Sequence, residues 1–110
     1  FKAVLLILGS AGALWAQGFA FDRVSNRFIA PGGSNRAAIF FVSNPAFSDV
    51  AGKIFDIQGR FVANMTVDPA LQKLTWDAKA DNGQIVRTGV YVYLITAEGA
   101  AYRGVLVVIR

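Results

Sequence analysis

The chain has 110 residues, 55% of them hydrophobic and 16% charged, with a formal net charge of +4; that length suits one domain around one core. The absence of cysteine and histidine excludes disulfides, thiolate chemistry, the usual zinc ligands and the side chain best suited to proton transfer near neutrality. The basic residues Lys53, Arg60, Lys73, Lys79, Arg87, Arg103 and Arg110 are scattered singly, which argues against nucleic acid as a partner, since phosphate recognition needs a concentrated basic face.

In chain order, residues 1–21 form a first unit. Nothing from Ala3 to Phe21 is charged, and as a helix that stretch would extend about 28 Å, close to a bilayer core. Two readings compete. In one the unit is a secretory signal, with its apolar stretch at Ala3–Trp15 and with Ala16-Gln17-Gly18 supplying small residues at the −3 and −1 positions of a cleavage site. In the other, which leads at this stage, the unit is retained, and Val4, Leu5, Leu8, Gly12, Leu14 and Trp15 pack against identical subunits. Gly9 with Ala13 and Gly12 with Ala16 then give the small-residue spacing that lets helices approach closely.

A chain that opens on Phe1 and continues as an apolar helix resembles type IV pilins and related filament subunits, although Leu5 stands where bacterial pilins usually carry Glu. The resemblance implies a homopolymeric extracellular filament, with membrane insertion before assembly. The run Val4–Leu8 would also suit an extended strand added to a neighbouring subunit. A third reading makes the unit a membrane-spanning anchor.

From Asp22 onward, short apolar runs alternate with turn signals, and the expected unit is an all-β domain over 22–110. The strands are predicted at Arg23–Ile29, Arg36–Ser43, Val50–Ile57, Arg60–Val67, Gln72–Trp76, Gln84–Val86, Val90–Ala97 and Tyr102–Ile109. Between them lie turn formers such as Pro31-Gly32-Gly33, Asn44-Pro45, Asp68-Pro69, Asp81-Asn82-Gly83 and Glu98-Gly99. Such a series specifies a sandwich or a small barrel. Val90–Ile95 and Val105–Ile109 lack clean alternation, so they are either central strands with partly covered outer faces or strands whose outer face meets another subunit or domain.

Three blocks then carry a family resemblance: Lys53-Ile54-Phe55-Asp56-Ile57-Gln58-Gly59-Arg60-Phe61-Val62, Leu74-Thr75-Trp76-Asp77-Ala78-Lys79-Ala80-Asp81-Asn82-Gly83-Gln84-Ile85-Val86 and Thr88-Gly89-Val90-Tyr91-Val92-Tyr93. They resemble the immunoglobulin-like domain of flagellar hook-capping proteins, a pattern shared with C-terminal modules of secreted bacterial proteins, including sorting domains of the type IX secretion system. The resemblance implies an immunoglobulin-like β-sandwich of about seven strands whose function is attachment, sorting or assembly. In it, Phe55, Gly59, Trp76, Gly83, Gly89 and Tyr91 define the fold. Gly59 is expected at a positive-φ hairpin position, Trp76 as the core anchor and Gly89 where the chain swings into the tyrosine-bearing strand.

Catalytic and ligand constellations are thin. Asp77, Asp81 and Asn82 lack the spacing of an EF-hand and read as a capped turn, with a weak calcium site as the minor alternative. Asn64-Met65-Thr66 fits a glycosylation triplet, and Ser25, Ser34, Ser43 and Ser48 have no histidine to activate them. The phenylalanines fall mainly at strand positions and are expected in the core. The sequence therefore points to a non-enzymatic protein without cofactor or small-molecule substrate, extracellular or on a bacterial surface. It is a filament subunit, or alternatively a secreted binding or sorting module whose first residues are a cleaved signal.

Overall fold

The computed structural model describes residues 18–110. Val4, Leu5, Leu8, Gly12, Leu14 and Trp15 therefore lie outside the described residues, as does the helix expected there. Turn formers divide the described residues into nine strands: β1 (Ala20–Val24), β2 (Phe28–Ile29), β3 (Ala38–Ser43), β4 (Val50–Asp56), β5 (Phe61–Asn64), β6 (Thr66–Val67), β7 (Lys73–Trp76), β8 (Gly89–Ala97) and β9 (Ala100–Val108). No helix occurs among these residues.

The strands form two sheets, ordered β1-β3-β7-β6 and β2-β9-β8-β4-β5. Every pairing between strands is antiparallel except that of β2 with β9. The nine strands exceed the seven or so expected because two segments that read as single strands are divided between the sheets. In the first, Ser25 exchanges backbone and hydroxyl hydrogen bonds with Ile39, and the chain then crosses so that the Arg27 carbonyl accepts from the Val107 amide at 2.7 Å. In the second, the buried Met65 donates its amide to the Gly52 carbonyl at 2.8 Å, and Thr66 then pairs with β7. The run Gln84–Val86, expected as a strand, reduces to one bridge between Lys79 and Ile85.

The inner faces follow from period-two alternation. In β8, Tyr91, Tyr93, Ile95 and Ala97 are buried, and in β3 Ala38, Phe40 and Val42 are. With Ile29, Ile54, Leu74, Trp76, Leu106 and Val108 they form one core between the sheets. Phe40 and Tyr93 meet across it with ring centroids 4.8 Å apart. Each fully buried large side chain contributes about 1.5–3 kcal/mol relative to exposure. The core also reaches further toward the N-terminus than the boundary at Asp22 implied. Phe19 is buried, Phe21 packs against the core, and β1 begins at Ala20.

Local devices close the turns. Gly59 has φ +86° and donates to the Asp56 carbonyl at 3.0 Å, completing a three-residue hairpin loop between β4 and β5. Gly83 (φ +87°) likewise donates to the Ala80 carbonyl at 2.9 Å in the β7–β8 connection. Trp76 packs on Tyr91 with centroids 5.6 Å apart and donates its indole N–H to the Lys79 carbonyl at 2.9 Å. The Tyr91 hydroxyl donates to the Arg87 carbonyl at 2.7 Å, binding the start of β8 to the loop that precedes it. Gly89 is a correction: its φ is not positive, and a Cβ there would meet only the Tyr91 ring at 4.0 Å, so the position does not require glycine. Gly104 does require it, because a Cβ would lie 2.5 Å from Tyr93 Cζ.

A candidate docking face on the five-stranded sheet

The outer faces of the two sheets differ in chemistry. On the four-stranded sheet, outward positions include Arg23, Lys73, Thr66 and Thr75, with the Arg23 guanidinium 4.2 Å from the centroid of the Phe41 ring. On the five-stranded sheet, strand register aligns the outward residues into rows. Phe61, Phe55, Val92 and Val105 stand side by side across β5, β4, β8 and β9. Val90, Val107 and Phe28 form a parallel row across β8, β9 and β2. Within these rows Phe28 is 60% exposed, Phe61 48%, Val105 45% and Val90 38%.

These residues answer the open question about β8 and β9. Their outer faces are not covered by other elements of the described domain, and the alternation fails because both faces are apolar. Phe55, expected to define the fold from within, is half-buried on this outer face with its ring 6.1 Å from Phe61, edge to face. The expectation that the phenylalanines fill the core holds for Phe19 and Phe40 but not for Phe28, Phe47 and Phe61, which are exposed. Strand position does not distinguish inner from outer when both sides of a sheet are apolar.

Beside the apolar rows runs a mixed one: Lys53, Leu94 and Arg103, in register across β4, β8 and β9. Neither Lys53 nor Arg103 forms an ion pair among the described residues. The Lys53 ammonium lies 5.8 Å from the Phe61 ring centroid, near enough for a weak cation–π attraction. An open depression of about 280 Å³ lies between Phe55, Ile57, Val92, Leu94 and Arg103.

The hairpin at the rim of this depression is braced by the Asp56 carboxylate. Asp56 Oδ1 accepts from the amides of Gln58 and Arg60, each at 2.9 Å, and Oδ2 accepts from Arg60 Nε at 2.8 Å. The Arg60 amide, then its side chain and the Gln58 amide hold the Asp56 carboxyl below the ordinary carboxylate range. The exposed Ile57 is thereby presented at the hairpin tip.

The other sequence candidates serve local structure. Asp81 Oδ1 accepts from the Asn64 amide at 3.0 Å and fastens the β7–β8 loop to edge strand β5, while Asp77 faces Lys79 at 3.9 Å. Asn64 is exposed on β5, with its side-chain amide 3.4 Å from Asp81 Oδ2. Sequence reasoning passed over Asn44, whose signal was only its place before Pro45. Buried, it donates to the carbonyls of Ser48 and Leu71 and accepts from the Ser48 amide, all at 2.9 Å. Ser48 in turn donates its hydroxyl to Glu98.

No protein-family model and no curated protein matches the chain. Among solved structures it is similar to PorZ, an essential bacterial surface component of the type IX secretion system of Porphyromonas gingivalis, with a TM-score of 0.59 and 20% identity over 80% of this chain. It is also similar to dimeric latent PorU from the same bacterium, with a TM-score of 0.58 and 18% identity over 81% of this chain. The chain spans 11% and 9% of the length of those two proteins. At these identities the likeness is one of fold: a two-sheet β domain that also occurs within much larger proteins.

Proposed function

We propose that the chain is a secreted, non-catalytic module of immunoglobulin-like type that binds or sorts at a bacterial surface. It docks through the outer face of its five-stranded sheet. Two features support the immunoglobulin-like reading. The sheet order β1-β3-β7-β6 and the run β9-β8-β4-β5, which β2 extends at the edge, correspond to strands A-B-E-D facing G-F-C-C′. The Tyr91 hydroxyl bonded back to Arg87 has the form of a tyrosine corner at the start of strand F. The likeness to PorZ, a surface component of a secretion system, lends support to a role in secretion or at the surface and favours a module of this kind over a filament subunit. It does not single out the hook-capping family.

The observation that carries the docking reading is the row of exposed and half-buried apolar side chains from Phe61 to Val105, with the exposed Phe28 and Val90 beside it. Patches of this kind mark interaction surfaces. The unpaired Lys53 and Arg103 define the occupant as a protein surface with an apolar centre and carboxylates at its rim.

The test is surface retention in the native bacterium. The wild-type chain should be digested by protease added to intact cells and should sediment with the envelope. The double substitution Phe61→Ser with Val105→Ser, both on the exposed face, should leave the thermal midpoint nearly unchanged yet release the protein into the medium. Retention of the variant at wild-type levels rejects the face, and recovery of the wild-type chain in the cytoplasm rejects the secreted reading.

A further inference from the structure

Phe19 and Glu98 are 79 positions apart in sequence, yet the Phe19 nitrogen donates to Glu98 Oε1 at 3.2 Å. Phe19 is also the first buried residue of the described chain, and Gly18 before it is only half-buried. The Phe19 ring packs on Tyr102 with centroids 5.8 Å apart, and its carbonyl accepts from the Tyr102 hydroxyl at 3.3 Å. The fold thus takes hold of the chain at the residue that follows Ala16-Gln17-Gly18, the small-residue triplet with the spacing of a signal cleavage site.

Glu98 is an unusual residue for its position. It occupies the first place of the two-residue β8–β9 turn with φ +53°, followed by Gly99 at +77°. Such turns favour Asn-Gly, and a glutamate in the left-handed region is strained. Its carboxylate is nevertheless built into the loop end, where the Ser48 hydroxyl donates to Oε2. No lysine or arginine pairs with it among the described residues. Among the described residues the carboxylate is thus held by one hydroxyl and one amide N–H, with no cation beside it.

We propose that Glu98 is the receptor for a free α-ammonium at Phe19, created when a signal peptidase hydrolyses the Gly18–Phe19 bond. This rests on the secreted reading above. Water adds across the amide: Gly18 leaves as the carboxylate of the released peptide, and the Phe19 nitrogen takes up a proton to become an ammonium. The single N–H facing Glu98 becomes a group with three donors and a full positive charge, and charge-assisted hydrogen bonds of this kind are roughly twice as strong as neutral ones. Cleavage precedes folding, because in the folded domain Phe19 is buried. Glu98 and Asp49 line the same open depression at this end of the sandwich, and the Tyr102 phenol lies against the Phe19 carbonyl. The hydroxyl of Ser48 and then the Phe19 amide keep the Glu98 carboxyl below its ordinary range, so it is charged at neutral pH.

The sign of the pH dependence follows. An α-ammonium with a carboxylate partner has its pKa raised above the ordinary value of about 8. Its contribution to stability is complete below about pH 8 and is lost as pH rises through the raised value.

The experiment uses the protein isolated from its native source. Its intact mass should correspond to residues 19–110 with a free amine. Between pH about 7 and 10 its thermal midpoint should fall about 4 °C further than that of the Glu98→Gln protein isolated in the same way. The α-amine pKa, read by NMR after reductive methylation with labelled formaldehyde, should lie above the ordinary range. That reading needs no variant and decides the matter if Glu98→Gln does not fold. A chain starting at Phe19 with an ordinary amine pKa and the same pH profile as Glu98→Gln overturns the pairing and leaves the secreted reading standing. A mass that still includes residues 1–17 overturns the cleavage and the secreted reading with it.

Discussion

The residues that define this domain act through single, geometrically demanding contacts. Gly104 exists so that the Tyr93 ring can lie against the β9 backbone, and Trp76 exists to roof Tyr91 while its N–H closes the loop at Lys79. Tyr91 combines a buried ring with a hydroxyl bonded to Arg87. Tyr91→Phe keeps the ring and removes the bond, so denaturant unfolding at neutral pH should report a loss of about 1 kcal/mol. Burial, with the nearby Asp56 charge, raises the Tyr91 phenol above its ordinary 10.0. Stability from keeping it neutral is present below pH 10.0 and is lost as pH rises beyond it. The alkaline decline of stability should therefore be shallower in Tyr91→Phe than in wild type. Of these residues Trp76 and Tyr91 were legible in the sequence, because their size and neighbours announce them. Gly104 was not, since its need arises from a ring on the adjacent strand.

At the scale of elements, the hairpins were the most legible part. Asp56-Ile57-Gln58-Gly59-Arg60 specifies its own geometry through short-range bonds that need no partner elsewhere. Asp56 is held below its ordinary 3.8, so its contribution is present above that pH and is lost as pH falls through the lower folded value. Asp56→Asn should be less stable than wild type at pH about 7, with the difference shrinking as pH falls below 3.8 through the lower folded value, as measured by chemical unfolding. Glu98 titrates in both proteins and cancels in the comparison. The divided strands were not legible. Residues 23–29 and 60–67 each carry an unbroken strand-like pattern, and only hydrogen bonds to Ile39, Val107 and Gly52 show where each run changes sheet.

For the molecule as a whole, the N-terminal limit of the domain is set by packing. Phe19, Phe21, Phe40, Tyr93 and Tyr102 form one aromatic group across both sheets. A chain beginning at Asp22 removes two of these rings and the start of β1. It should unfold at markedly lower denaturant than one beginning at Phe19, by about 3–5 kcal/mol as expected for deleting large buried aromatics. Equal stability of the two would show that the aromatic group closes without Phe19 and Phe21.

Period-two alternation and turn residues were enough to establish an all-β domain over the described residues with its hairpins in place, because each is decided within a few neighbouring residues. The apolar rows beside Lys53 and Arg103, the outward placement of Phe55 and the meeting of Phe19 with Glu98 depended on which strands lie side by side and in what register. Those are relations between distant segments, and they come into being only when the two sheets close on a common core.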